Sequence, residues 1–185
     1  MVKQILSDTE DKMKKSLLAV NRDFGSLRTG KASPALLDAI RVDYHGTVMP
    51  LNQLATVSAP EARLMVVQAW DKAIVGEISK AIQKADLGLN PQVDGNIIRL
   101  PIPPLNEDRR RELVKHCKKI AEDGKIAIRN IRRDANDSLK NAEKDKSISE
   151  DDMKRATEKV QGLTNKYTDE IDLAMEAKET AIMEV

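Results

Sequence analysis

The run from Asn106 to Lys146 most constrains what this chain can fold into, because it reads as one unbroken helix with a core stripe and a basic stripe. At ~100° per residue, Arg111, Lys115, Lys118, Lys125, Arg129, Arg132, Arg133 and Lys140 fall within one sector ~100° wide. Leu113, Cys117, Ile120, Gly124, Ala127, Ile131, Ala135, Ser138 and Ala142 gather roughly 150° away and form the expected core face. A helix of ~38 residues is ~57 Å long at the standard rise. A rod of that length with cations along one edge suits an extended polyanion better than a small substrate, so nucleic acid is the expected ligand class.

Composition narrows the fold. Aromatic residues are 2% of the 185 positions, which argues against a large sandwich or barrel core, and charged residues are 33%, which suits long solvated helices. The net charge of +1 is unevenly spread: residues 106–146 carry 13 basic and 9 acidic side chains, residues 147–185 carry 5 and 10. A basic edge and an acidic edge are expected in one body. The single Cys117 excludes an internal disulfide and fits a reducing compartment. The opening residues MVKQILSDTEDKMKK have no secretory apolar core, and no run of about 18 apolar residues occurs. The expectation is a soluble cytoplasmic protein with no membrane partner.

Two other segments share the helical period. In residues 2–28, Val2, Leu6, Thr9, Met13, Leu17, Val20, Phe24 and Leu27 step by threes and fours, and Gly30 with Ser33-Pro34 breaks the pattern. At the other end Ser149 is the expected cap, Ile148 and Met153 are placed for a hydrophobic staple, and the seam is Met153, Ala156, Val160, Leu163, Tyr167, Ile171, Ala174 and Ile182. Asn106 is the expected cap of the middle helix.

Residues 35–105 differ. Ile40, Val42 and Tyr44 alternate before a His45-Gly46 turn, and Arg63 to Trp70 and Asn96 to Ile102 read as strands. Lys72 to Asp86 reads as a short helix with Ile74, Ile78, Ile82 and Ala85 on one side, ended by Gly88. Pro101, Pro103 and Pro104 close the segment.

Three amphipathic helices, none able to bury its seam alone, are most economically an intramolecular bundle. The expected fold is α+β: a long three-helix bundle (residues 1–29 and 106–185) with a small β/α/β domain (residues 31–104) inserted between helices 1 and 2. Two adjacent linkers, 29–31 and 102–105, make Thr29, Gly30, Lys31, Pro103, Pro104 and Leu105 the expected hinge of an L-shaped monomer whose two bodies vary in angle.

Catalysis has little support. His116 and Cys117 are adjacent and so face different sides of a helix, and His45 sits in a turn. No C-x-x-C, H-E-x-x-H, P-loop or G-x-G-x-x-G occurs, and Glu150-Asp151-Asp152 is explained by the helix dipole, so neither catalytic residues nor metal ligands are assigned. The basic stripe is the remaining candidate. A charged helix face is usually only solvated, and Glu122, Asp134 and Asp137 lie among these cations. Arg129, Arg132 and Arg133, however, are related by threes and fours, and guanidinium forks suit phosphate. The candidate RNA-binding residues are Arg132, Arg129, Arg133, Lys125, Lys118 and Arg111. Scarce aromatics argue against single-strand stacking and for folded RNA.

Four motifs in register, Arg28-Thr29-Gly30-Lys31-Ala32-Ser33-Pro34, Asp86-Leu87-Gly88-Leu89-Asn90-Pro91, Arg129-Asn130-Ile131-Arg132-Arg133-Asp134-Ala135-Asn136 and Asp145-Lys146-Ser147-Ile148-Ser149-Glu150-Asp151-Asp152, closely resemble the bacterial ribosome recycling factor family over essentially the whole chain. The resemblance implies a bundle and a small domain joined by a flexible hinge, with the dimensions of a tRNA. It implies binding to the 70S ribosome after termination and splitting into subunits with elongation factor G, which uses the GTP; the chain itself would need no cofactor and catalyse nothing. It further implies that Arg132 is a principal contact to large-subunit rRNA, with Arg129 and Arg133 supporting, and that the smaller domain faces elongation factor G. The first motif departs at Lys31, where the family commonly has arginine and so a bidentate fork. The competing readings are an rRNA-binding module or chaperone without splitting activity, which needs no hinge, and a helical scaffold whose seams pair between chains.

Overall fold

The computed structural model describes residues 1–184, in the order α1 (Val2–Gly25), β1 (Arg41–Tyr44), β2 (Thr47–Pro50), β3 (Ala55–Glu61), β4 (Leu64–Ala69), α2 (Val75–Lys84), β5 (Gln92–Asp94), β6 (Ile97–Pro101), α3 (Glu107–Lys144) and α4 (Glu150–Met183). Contacts group this α+β chain into two units, residues 1–24 with 114–185 and residues 25–113.

The first unit is helical. Thr9, Met13, Val20 and Phe24 of α1 are buried, as the seam requires, but α1 stops at Gly25, three residues short of the expected end. Ala135 and Leu139 of α3, Ala156 and Val160 of α4, and Val2, Ile5 and Leu6 of α1 pack together, so the three seams close on one another. Lys125 reaches Asp172 and Arg132 reaches Gln161, so α3 and α4 run antiparallel; Glu10 meets Tyr167 lower on α1 and α4, and Val20 lies level with Ile171.

The ends of these helices follow local chemistry. Asn106 Oδ1 accepts from the Arg109 amide at 2.8 Å, and Ser149 Oγ from the Asp152 amide at 3.1 Å, so both expected caps form. Ile148 and Met153 pack on the same apolar cluster, as a staple does. The middle helix stops at Lys144 rather than Lys146, because Lys146 turns left-handed (φ 55°) and the amides of Lys146 and Ser147 bond back to the carbonyls of Glu143 and Ala142, each at 2.9 Å. This is the Schellman closure, in which glycine normally takes the left-handed position. Lys146→Gly should therefore stabilise the protein by about 1 kcal/mol. The check is a higher urea midpoint at unchanged slope; a lower midpoint would mean the lysine side chain itself secures the turn.

The core face of α3 differs from expectation. Leu113, Cys117, Ala121, Gly124, Ile128, Ala135, Leu139 and Ala142 are buried, whereas Ser138 is exposed and Ile120, Ala127 and Ile131 are only half-buried. Ile128 and Leu139 were not in the expected stripe. These two large side chains draw the face toward the core, and Ser138 instead donates to the Asp134 carbonyl at 2.9 Å on the solvent side.

The second unit is richer than a β/α/β insert. It holds a β1-β2 hairpin and a four-stranded antiparallel sheet ordered β3-β4-β6-β5. The His45-Gly46 turn closes the first hairpin with both residues at positive φ (51° and 85°), the geometry two-residue hairpins favour. Met65, Val67, Ile98 and Leu100 on one sheet face pack with Ile74, Ile78 and Ile82 around α2. Strands β2, β3 and β5 escape the sequence reading because they lack a clean apolar alternation: Val48 and Val93 are exposed, and β3 contains Pro60. Ala85 is exposed, and the segment after α2 turns at Asp86 (φ 51°), two residues before the glycine expected to end it.

Candidate nucleic-acid interface

The turn of the core face by ~40° sets the chemistry of the basic stripe. Buried positions now adjoin Lys125, Arg129 and Arg132, which become half-buried, and Lys125 and Arg132 lie along the boundary between α3 and α4. A cation in that position meets whatever α4 presents.

Lys118 Nζ lies 3.9 Å from Glu179 Oε1. Lys125, with a side chain 21% exposed, donates to Asp172 Oδ1 at 3.0 Å and sits 3.5 Å from Glu122 Oε2. The Asp172 hydrogen bond is the main cause that raises the Lys125 pKa above the usual lysine range. Arg129 Nη1 donates to Glu122 Oε1 at 3.2 Å, and that bond is the first cause holding the Glu122 carboxyl below its usual range. Arg111 pairs with Glu107 one turn back, both exposed. Four of the six candidate cations are thus compensated by a carboxylate.

Arg132 and Arg133 are not. Arg132 Nη1 donates to the neutral Gln161 Oε1 at 3.2 Å. Arg133 is exposed and makes no hydrogen bond or ion pair among the described residues. The three arginines of the motif point to different partners: Arg129 back along α3, Arg132 across to α4, Arg133 to solvent. Among the six candidates the uncompensated charge is therefore that of two adjacent guanidiniums. Groups on α4 complete this locality, and the sequence reading missed them. Gln161 and Asn165 are linked by a 2.9 Å bond, and only the antiparallel pairing of α3 and α4 brings them to Arg132. Asn136 Oδ1, one turn beyond Arg132 on α3, is buried and accepts no hydrogen bond from the protein, a cost of ~1–3 kcal/mol.

The expected hinge residues lie within the second unit. Gly30 is left-handed (φ 80°), and a side chain there would meet Leu105 Cγ at 3.5 Å, so the outgoing and returning linkers touch. Both are tied to the turn between β3 and β4: the Ala32 amide donates to the Ala62 carbonyl at 2.6 Å, and the Ile102 amide to the Arg63 carbonyl at 2.8 Å. A proline at Gly30 would be incompatible with that φ, because its ring holds φ near −65°.

The other reactive side chains do not converge. Cys117 is fully buried, and desolvation pushes its thiol up; His116 is exposed on another face; His45 stacks edge-on against Tyr44 at 4.4 Å. Among the described residues no group of three or more His, Cys, Asp or Glu could hold a metal, and no helix is long and apolar enough to cross a membrane.

Comparison with known proteins extends this picture. The family model described as ribosome recycling factor matches residues 20–183. The ribosome-recycling factor of Halalkalibacterium halodurans is 56% identical and that of Bacillus subtilis 51%, each over 100% of both chains. A solution structure of the ribosome recycling factor matches with TM-score 0.80 and 46% identity, covering 100% of this chain and 98% of that one. A second match, TM-score 0.71 and 44% identity over 100% of both chains, comes from models of the T. thermophilus ribosome recycling factor and E. coli elongation factor G bound to the E. coli post-termination complex.

Proposed function

This chain belongs to the ribosome recycling factor family, whose work is part of protein biosynthesis, and on that premise we propose that it splits post-termination ribosomes into subunits together with elongation factor G and GTP. The observation that carries this reading is the end-to-end similarity to a ribosome recycling factor placed with elongation factor G on a post-termination ribosome. The chain is a transmitter rather than a catalyst. Elongation factor G consumes the GTP, and the chain needs no cofactor of its own.

The docking element of this proposal is the α3 edge, where Arg132 and Arg133 offer charge that no carboxylate neutralises. Guanidinium forks there would take large-subunit rRNA phosphates, releasing counterions as they do. Arg129, Lys125, Lys118 and Arg111 would contribute less, since each must first give up an acidic partner. Interlocked seams make the helical unit stiff enough to carry a push. Thr29, Gly30, Lys31 and Pro103 to Leu105 would act as the hinge through which the small domain follows elongation factor G.

The test is light scattering of post-termination ribosomes with the protein, elongation factor G and GTP, each omitted in turn. Splitting is expected only when all three are present. Binding without splitting would replace this reading with an rRNA-binding module, and neither binding nor splitting would end both.

A further inference from the structure

We propose that Gln161, braced by Asn165, is the positioning residue for Arg132, aiming its guanidinium at RNA while leaving its charge unspent. The inference deepens the RNA-docking reading above and rests on it.

Lys118, Lys125 and Arg132 recur every seventh residue on α3, so they stand in a row beside the core face. On the antiparallel α4 the matching steps are Glu179, Asp172 and then Asn165. The first two rungs are ion pairs, at 3.9 Å and 3.0 Å. At the third rung the carboxylate is replaced by amides: Arg132 Nη1 donates to Gln161 Oε1 at 3.2 Å, and Gln161 Nε2 donates to Asn165 Oδ1 at 2.9 Å. The amide relay runs in one direction. Asn165 Oδ1 accepts from the Gln161 NH2, which turns the Gln161 carbonyl oxygen toward the guanidinium.

A neutral acceptor and a carboxylate both restrict an arginine, but they differ in what remains for a ligand. A carboxylate cancels the charge, and an incoming phosphate must displace it. An amide oxygen occupies one N–H, leaves the other donors open, and leaves the full positive charge. Restricting a side chain with several rotatable bonds before docking removes part of the ordering cost from binding. The row thus closes the bundle with two ion pairs and presents its third cation outward, held but uncompensated.

The experiment measures binding of Gln161→Ala, Gln161→Glu, Arg132→Ala and the double variants to purified large ribosomal subunits across a salt series. Circular dichroism melts confirm that each variant folds; Gln161 is exposed, so none should lose the bundle. Gln161→Ala should weaken binding roughly threefold with an unchanged salt slope, since charge is kept and only order is lost. Gln161→Glu should weaken it roughly tenfold and flatten the slope by somewhat less than one unit, because a carboxylate now neutralises Arg132. In the Arg132→Ala background the Gln161→Ala effect should vanish. Wild-type affinity and slope for both Gln161 variants, beside an impaired Arg132→Ala, would overturn the positioning role while sparing the docking reading. The same holds if Gln161→Ala costs as much without Arg132 as with it. An unimpaired Arg132→Ala would overturn both.

Discussion

Gly124→Leu should destabilise the helical unit by about 3 kcal/mol or more. A Cβ at Gly124 already falls inside van der Waals contact with Val20 Cγ2 and lies 3.3 Å from Ile171 Cδ1. Both neighbours are β-branched residues on the other two helices, and both are buried, so neither can swing away cheaply. A leucine would have to part α3 from α1 and α4 at the level where all three meet. Glycine in a helix interior costs about 1 kcal/mol relative to alanine, so it is kept here for the close approach it permits. Gly162 of α4 supplies the internal control. Nothing lies within 4 Å of a Cβ built there, and Gly162→Ala should stabilise by about 1 kcal/mol. Urea unfolding followed by the helical circular dichroism signal reads both variants. Equal effects of the same sign would mean that propensity, not packing, governs Gly124.

Arg132→Ala should lower affinity for large ribosomal subunits roughly tenfold to a hundredfold at moderate salt, the range of a lost charge-assisted hydrogen bond. The salt dependence should flatten by somewhat less than one unit, the signature of one lost phosphate contact. Arg129→Ala makes the contrast. Arg129 already spends its charge on Glu122, so its removal frees a carboxylate while removing a cation already neutralised, and the slope should change less. Thermal stability should hardly move for Arg132→Ala, since the bond it loses within the protein is one exposed hydrogen bond to a neutral amide at the boundary of two helices. Binding of Arg132→Ala as tight as that of the unaltered protein at moderate salt would remove α3 from the docking role. An equal slope change in both variants would mean that intramolecular pairing does not decide which cations are available.

Much of the helical unit was legible from local rules. The threes and fours of Thr9, Met13, Val20 and Phe24, and of Ala156, Val160, Tyr167 and Ile171, fall on buried faces because a helix repeats every ~3.6 residues whatever it packs against. Asn106 and Ser149 cap their helices because the unpaired amides are within side-chain reach. The His45-Gly46 turn is equally local. The small domain was less legible. β3 and β5 are edge strands, held by pairing to β4 and β6 rather than by an apolar pattern of their own.

The sequence by itself determined the helices, their caps, the main turn and the basic stripe, since each depends on neighbours a few residues away. Within α3 the chain already pairs Arg111 with Glu107 and Arg129 with Glu122, but only the tertiary structure decided which cations beside α4 are available. Packing of Ile128 and Leu139 turned the stripe toward α4, and the antiparallel register set Asp172 against Lys125 but Gln161 against Arg132. Charge is a property of a residue, whereas compensation of that charge belongs to a pair. The residues of these pairs lie tens of positions apart, and no periodicity along one strand of chain brings them together.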